Sequence, residues 1–224
     1  IYREERKDTV LIGISHILTD GNGFLQYLYL LASLYNGKSP AVHLQNKREI
    51  APLLKNIHVQ PPTVQTRRGR YTAVPPLRPV SNGKNYFWLN CSITSDDLTA
   101  LQAKAKKCGV SLNDVFMTAY VRVIARLQHI NKVVIPCPAD LRRFQSEPDH
   151  LTIANMRLYF KNIDVVSCSL AGTFRLPPYF QLTISTFRDV CTFNCTLAGS
   201  AGDEIIGQQI LEQVKSELLA WLTE

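Results

Sequence analysis

Ser15-His16-Ile17-Leu18-Thr19-Asp20-Gly21-Asn22-Gly23 joins two apolar segments of different character. Before it, Thr9-Val10-Leu11-Ile12-Gly13-Ile14 is short and rich in β-branched residues, which predicts a buried strand. After it, residues 24–35 are almost wholly apolar and contain no Pro or Gly, which predicts a buried helix. The join itself holds an imidazole, a carboxylate four residues later, and two glycines able to adopt backbone angles that other residues avoid. A strand that ends in His and turns into a helix places the imidazole at a carboxyl end, where a cleft forms. A general base is useful there, since an unperturbed His titrates near pH ~6.5.

Two plainer readings of His16 and Asp20 stand beside this one. His16 is then a hydrogen-bonded residue at the end of a strand, and Asp20 a helix N-cap. A metal pair is the other alternative, but it needs a third ligand. His43, His58, His129 and His150 are scattered singly without ligand spacing, so no metal is expected.

Ser-His-Ile-Leu-Thr-Asp-Gly resembles the His-His-x-x-x-Asp-Gly signature of the chloramphenicol acetyltransferase superfamily. That superfamily includes the condensation domains of nonribosomal peptide synthetases, polyketide-associated acyltransferases and plant acyltransferases. Ser15 stands where many members carry a first His; His16 occupies the position of the catalytic one. The resemblance implies a mixed sheet flanked by helices, an α/β (α+β) fold of two similar halves. It also implies a complete chain about twice this length, so that the N-terminal half is incomplete here. A homotrimer with its site between subunits is the other arrangement open to a short chain. The branch that builds one carries its His motif near the C-terminus, unlike this sequence.

Bulk composition sets the outer limits. At 224 residues with 46% apolar and 19% charged residues, the chain has the make-up of a globular protein with a sizeable core. No apolar run reaches the roughly 20 residues of a membrane-spanning helix, and the charged start, Arg3 to Asp8, is not a signal peptide. Cys91, Cys108, Cys137, Cys168, Cys191 and Cys195 form no Cys-x-x-Cys and read as buried free thiols of a reducing, cytoplasmic compartment. The net charge of +7 favours anionic partners. The phosphates of coenzyme A and an acidic carrier protein both fit; no nucleic-acid module signature is present, so nucleic acid is not expected.

Along the chain, three regions are expected: 1–59, which ends the N-terminal half and carries the His motif; a Pro/Arg-rich linker, 60–83; and the C-terminal half, 84–224. Asn36-Gly37-Lys38-Ser39-Pro40 stops the first helix. The linker holds Pro61, Pro62, Pro75, Pro76 and Pro79 around Arg67-Arg68-Gly69-Arg70. It is either solvated or a loop that offers arginines to a phosphate. Lys84–Ile93 predicts an aromatic-rich strand, and Thr94 to Asp97 a capping box. The helix behind that box carries Leu98, Leu101, Ala105 and Cys108 on one stripe and ends at Gly109. Ser111 to Asp114 opens another helix, with Val115, Phe116, Ala119, Tyr120, Val123, Ile124 and Leu127 on its buried face.

Val133–Pro138 predicts a short strand leading to Ala139-Asp140-Leu141-Arg142-Arg143. In the resembled family an Arg of the second half pairs with the motif Asp. The resemblance gives that role to Arg142, with Arg143 as a substitute, or either is a solvated loop arginine. Asn162–Ser169 predicts a strand, and Tyr179–Phe187 and Val190–Leu197 a hairpin joined by Arg188-Asp189. By the resemblance, Ser167 or Ser169 donates to an oxyanion, and otherwise each is a strand-end serine. Thr183 and Ser185 share a face that lines a tunnel or a core. From Asp203 an amphipathic helix buries Ile206, Ile210, Val214, Leu218 and Trp221.

The implied chemistry is transfer of an acyl group from a thioester to a hydroxyl or amine of a small-molecule acceptor. His16 is the general base. Asp20 turns from the tunnel to an ion pair with Arg142, and Gly21 and Gly23 permit the turn. The donor is acyl-coenzyme A or a phosphopantetheine thioester on an acyl or peptidyl carrier protein, with no tightly bound cofactor. The alternative is a non-catalytic condensation-like domain that binds a carrier protein or an acylated ligand.

Overall fold

The computed structural model describes residues 1–38, 85–133, 135 and 158–224. They hold four helices and two antiparallel sheets, a mixed α/β composition compatible with α+β. The chain divides into two compact units, Ile1–Pro61 with Ala139–Val166, and Pro62–Pro138 with Ser167–Glu224. The linker 60–83, Ala139 to Arg143 and Cys137 lie outside the described residues, as do both candidate arginines, Arg142 and Arg143.

In the first unit, β1 (Tyr2–Arg3) pairs antiparallel with β2 (Asp8–Thr9). The strand expected over 9–14 therefore stops at Thr9. β1 offers two residues of partner edge, and Val10 and Leu11 beyond them are 58% and 74% exposed. A β-branched run becomes a strand only where a neighbouring edge takes up its backbone groups. Helix α1 (Gly21–Tyr35) starts three residues earlier than expected because Asp20 caps it. It is not the buried helix its composition suggested: Leu28 and Ala32 are buried, whereas Tyr27, Leu31, Leu34 and Tyr35 are exposed.

Gly37, at φ +76°, ends α1 as the sequence predicts. Its N–H bonds Leu34 O and the Lys38 N–H bonds Ser33 O, satisfying two terminal carbonyls. Asn36 then ties this helix end to a distant turn. Its Nδ2 donates to Tyr159 O at 2.7 Å and its Oδ1 accepts from the Lys161 N–H at 2.6 Å. Tyr35 packs edge-on against Phe160 beside it. At that turn the chain reverses, with Phe160 bridging Ile163 and Asn162 at φ +64°. The reversal is why the strand expected over 162–169 is absent.

The second unit is built on the sheet β3–β5–β4, from β3 (Asn85–Ile93), β4 (Thr183–Phe187) and β5 (Val190–Gly199). β3 and β5 pair without interruption from Asn85↔Gly199 to Ile93↔Cys191. β4 and β5 form the expected hairpin without a glycine: Arg188 and Asp189 both take positive φ, 47° and 66°. β4 begins at Thr183 and not Tyr179, because Arg175 occupies the edge of β5 next to Leu197. The Arg175 N–H bonds Thr196 O and its carbonyl accepts from Ala198 N–H.

One face of the sheet carries Leu89, Cys91, Ile93, Phe193, Cys195 and Leu197, and three helices cover it. Helix α2 (Ser95–Lys107) contributes the predicted Leu98, Leu101 and Ala105. Cys108, expected on that stripe, is its exposed C-cap. Thr94 caps α2 as predicted, but the Asp97 carboxylate takes the Thr94 hydroxyl at 2.7 Å. Helix α3 (Leu112–Gln128) has the full Ser111/Asp114 capping box and buries the predicted stripe as far as Ile124. Helix α4 (Ala201–Thr223) is capped by Ser200 and buries Ile210, Leu211, Val214 and Leu218. Glu217 of α4 is bound by Arg122 and Arg126 of α3. Phe116 meets Phe193 edge-on, with centroids 5.5 Å apart, at the centre of the core.

Candidate functional site

In the first unit the residues of the His motif fall into two small hydrogen-bonded structures. Ser15 to Leu18 is a turn closed by Leu18 N–H to Ser15 O at 2.9 Å, and the Ile17 N–H reaches Ser15 Oγ at 3.4 Å. His16 occupies the first corner of that turn and is exposed. Two residues on, the chain enters α1, where Asp20 Oδ1 accepts the Gly23 N–H at 2.9 Å. The Phe24 N–H bonds Asp20 O at 2.9 Å and starts the helical ladder. A carboxylate at this position satisfies a terminal donor and complements the positive helix end.

The glycines act differently from expectation. Neither Gly21 nor Gly23 has positive φ, so the turn does not need their conformational freedom. A Cβ on Gly23 would overlap Thr19 Oγ1 and approach Asp20 Oδ1 to 3.3 Å, whereas a Cβ on Gly21 would meet nothing within 4 Å. Gly23 is therefore there for close approach: it lets Thr19 and Asp20 fold over the first turn of α1.

In the second unit the polar candidates share the sheet face turned from the helices. Ser167 is exposed and Ser169 half-buried, on an irregular segment that runs over this face and not at the end of a strand. Thr183 and Ser185 lie opposite Asn194 and Thr192 of β5. Ser185 Oγ accepts the Leu170 N–H at 3.2 Å, so this hydroxyl secures the covering segment. Asn194, fully buried, does more. Its Nδ2 donates to Leu170 O at 3.0 Å, and its Oδ1 accepts from Trp88 Nε1 at 3.0 Å. Thr196 Oγ1 lies 2.9 Å from Gly172 O and 3.0 Å from Thr173 O. Asn194 and Thr196 were not singled out from the sequence. The alternation Thr192, Asn194, Thr196 between buried Cys191, Phe193, Cys195 and Leu197 is the signal that marks them.

The buried thiols offer no nucleophile. Burial pushes Cys91 and Cys195 up to about 12, so both stay protonated at neutral pH. Burial also raises Cys191, partly opposed by a hydrogen bond with Thr186. Among the described residues no group of three or more His, Cys, Asp or Glu is placed to hold a metal ion. No described helix is long and apolar enough to cross a membrane.

His16 and Asp20 are thus held four residues apart at the start of α1. Ser185 and its neighbours anchor a strap across the polar sheet face of the other unit. Neither the protein-family models nor the curated proteins searched contain a match to the chain.

Proposed function

We propose that the protein is an acyltransferase of the chloramphenicol acetyltransferase-like type, with the corresponding two-halved architecture and His16 as general base. The acceptor hydroxyl or amine attacks the thioester carbonyl while His16 takes its proton. As the tetrahedral intermediate collapses, the carbon–sulfur bond breaks and the imidazolium returns a proton to the departing thiolate. Acyl-coenzyme A or a carrier-protein phosphopantetheine thioester supplies the acyl group. No covalent enzyme intermediate is needed, and thiols held protonated by burial fit that scheme.

The observation that carries this reading is the placement of His16. It stands exposed on a closed turn, while Asp20 is engaged by the first turn of α1. Asp20 is then a positioning residue that fixes the loop, with Arg142 as its proposed ion-pair partner, and not a proton relay. The test is thiol release from a panel of acyl-coenzyme A donors with simple alcohols and amines. Acceptor-dependent release should fall by about 10²- to 10⁴-fold in His16→Ala, with an unchanged far-UV circular dichroism spectrum. Equal release by the wild type and the variant overturns the assignment. If neither releases thiol from coenzyme A or from carrier-protein thioesters, the protein is a binding domain.

A further inference from the structure

Between the turn that presents His16 and the helix capped by Asp20 stands a single residue, Thr19, and its side chain lies against Gly23. The hydrogen bond that closes the turn, Leu18 N–H to Ser15 O, ends one peptide bond before Thr19. Half-buried Thr19 folds back over the first turn of α1. Its Oγ1 donates to Asp20 O at 3.3 Å, the carbonyl that also accepts the Phe24 N–H at 2.9 Å. The threonine hydroxyl is thus attached where the helical ladder begins.

Gly23 supplies the space for this attachment. A β-carbon on it would overlap Thr19 Oγ1, and would stand 3.4 Å from Thr19 Cβ and 3.3 Å from Asp20 Oδ1. Its φ is not positive, so room is what glycine contributes here and not conformational freedom. Alanine is the better helix former, and Gly21, where a β-carbon would meet nothing within 4 Å, has no such reason to be small. Adding a methyl at Gly23 leaves the N–H that Asp20 Oδ1 accepts. The cap can therefore persist while Thr19 is displaced, or while its hydroxyl is turned away from Asp20 O.

We infer that Gly23 is a positioning residue for His16: the space it leaves for Thr19 sets how the Ser15–Leu18 turn joins α1, and hence where the imidazole stands. This inference rests on His16 being the general base. Such a base must reach the acceptor proton within about 2.6–3.2 Å. A misplacement of about 1 Å costs on the order of 10²-fold in rate. A displaced Thr19 pulls on the turn from one peptide bond away, so the effect falls on the imidazole and not on the helix.

The experiment is a double-mutant cycle of Gly23→Ala and Thr19→Ala in the whole protein, read by acceptor-dependent thiol release and by imidazole NMR signals. The His16 signal is identified by its loss in His16→Ala. Gly23→Ala should lower kcat by about 10- to 10²-fold with KM within about twofold. It should also move the His16 signal while that of His129, in the second unit, stays in place. In the Thr19→Ala background the same Gly23→Ala should change neither readout, since the overlap is gone and small shifts accommodate neighbours at 3.3 and 3.4 Å. An unmoved His16 signal in Gly23→Ala, or undiminished kcat beside an active wild type, overturns the inference. So does a loss that persists in the Thr19→Ala background. If Gly23→Ala does not fold, Thr19→Val carries the experiment, because it keeps the bulk and removes the hydroxyl bonded to Asp20 O. A His16 signal left in place by that variant likewise overturns the inference. If the wild type releases no thiol, the acyltransferase reading fails by itself, and the His16 signal alone decides whether Gly23 positions the imidazole.

Discussion

Cys91 and Cys195 sit on the helix-facing side of the sheet, 7% and 1% exposed, and burial raises both thiols from 9.0 to about 12. Because the folded value lies above the unfolded one, the stabilisation is complete below pH 9 and is lost as pH rises toward 12. Denaturant midpoints should therefore fall across that window, and less steeply in Cys195→Ala after allowance for its lower starting stability. Thiol reagents at pH 8 should modify exposed Cys108 rapidly, while Cys91, Cys191 and Cys195 wait for unfolding. Fast labelling of Cys195 in the native state would contradict this burial. At the same scale the cap of α1 at Asp20 was one of two readings the sequence offered, the other being an ion pair with Arg142. The sequence did not tell why Gly23 is a glycine, because overlap with Thr19 Oγ1 exists only once the helix has formed.

Helices α1, α2 and α3 end in the same pattern of two terminal hydrogen bonds, around Gly37, Gly109 and His129. The first two are glycines at φ +76° and +71°; His129 adopts φ +52° with a full side chain. A β-carbon in the left-handed region costs about 1–2 kcal/mol, part of which glycine's greater unfolded freedom offsets. His129→Gly should stabilise the protein by about 0.5–1 kcal/mol, and Gly109→Ala should destabilise it by about 1 kcal/mol, both read from denaturant midpoints. An unchanged midpoint in His129→Gly would show that the imidazole contributes as much as the strain costs. Elements with local signals were legible: the caps at Thr94 and Ser111, Asp20 as the plainer of its two readings, and the stripes of α2 and α3; the Ser200 cap, three residues before the expected start at Asp203, was not. The strands expected over 9–14 and 162–169 were not, and most of the one expected over 133–138 lies outside the described residues. An apolar β-branched run says nothing about where its pairing edge will be.

Across the whole molecule, burial is unevenly spread. The buried hydrophobic residues described in the first unit are Leu28 and Ala32, whereas β5 in the second is covered on both faces from Phe193 to Leu197. Amide exchange should be slowest in β5 and the middle of α4 and much faster in α1, β1 and β2. Equal protection of α1 and β5 would mean that both units open as one. Composition indicated a globular protein with a sizeable core, but the strap over the polar sheet face was hidden, because it depends on Asn194 and Thr196 meeting carbonyls some 23 residues away. The pairing of β3 with β5 also has a consequence on the ribosome. Asn85 meets Gly199, 114 positions later in the chain. At about 5–20 residues per second, β3 with Tyr86 and Trp88 spends roughly 6–23 s outside before its partner has been made. A newborn chain thus carries a bare, uncharged strand for seconds, and its yield in cells will depend on what shields that strand in the meantime.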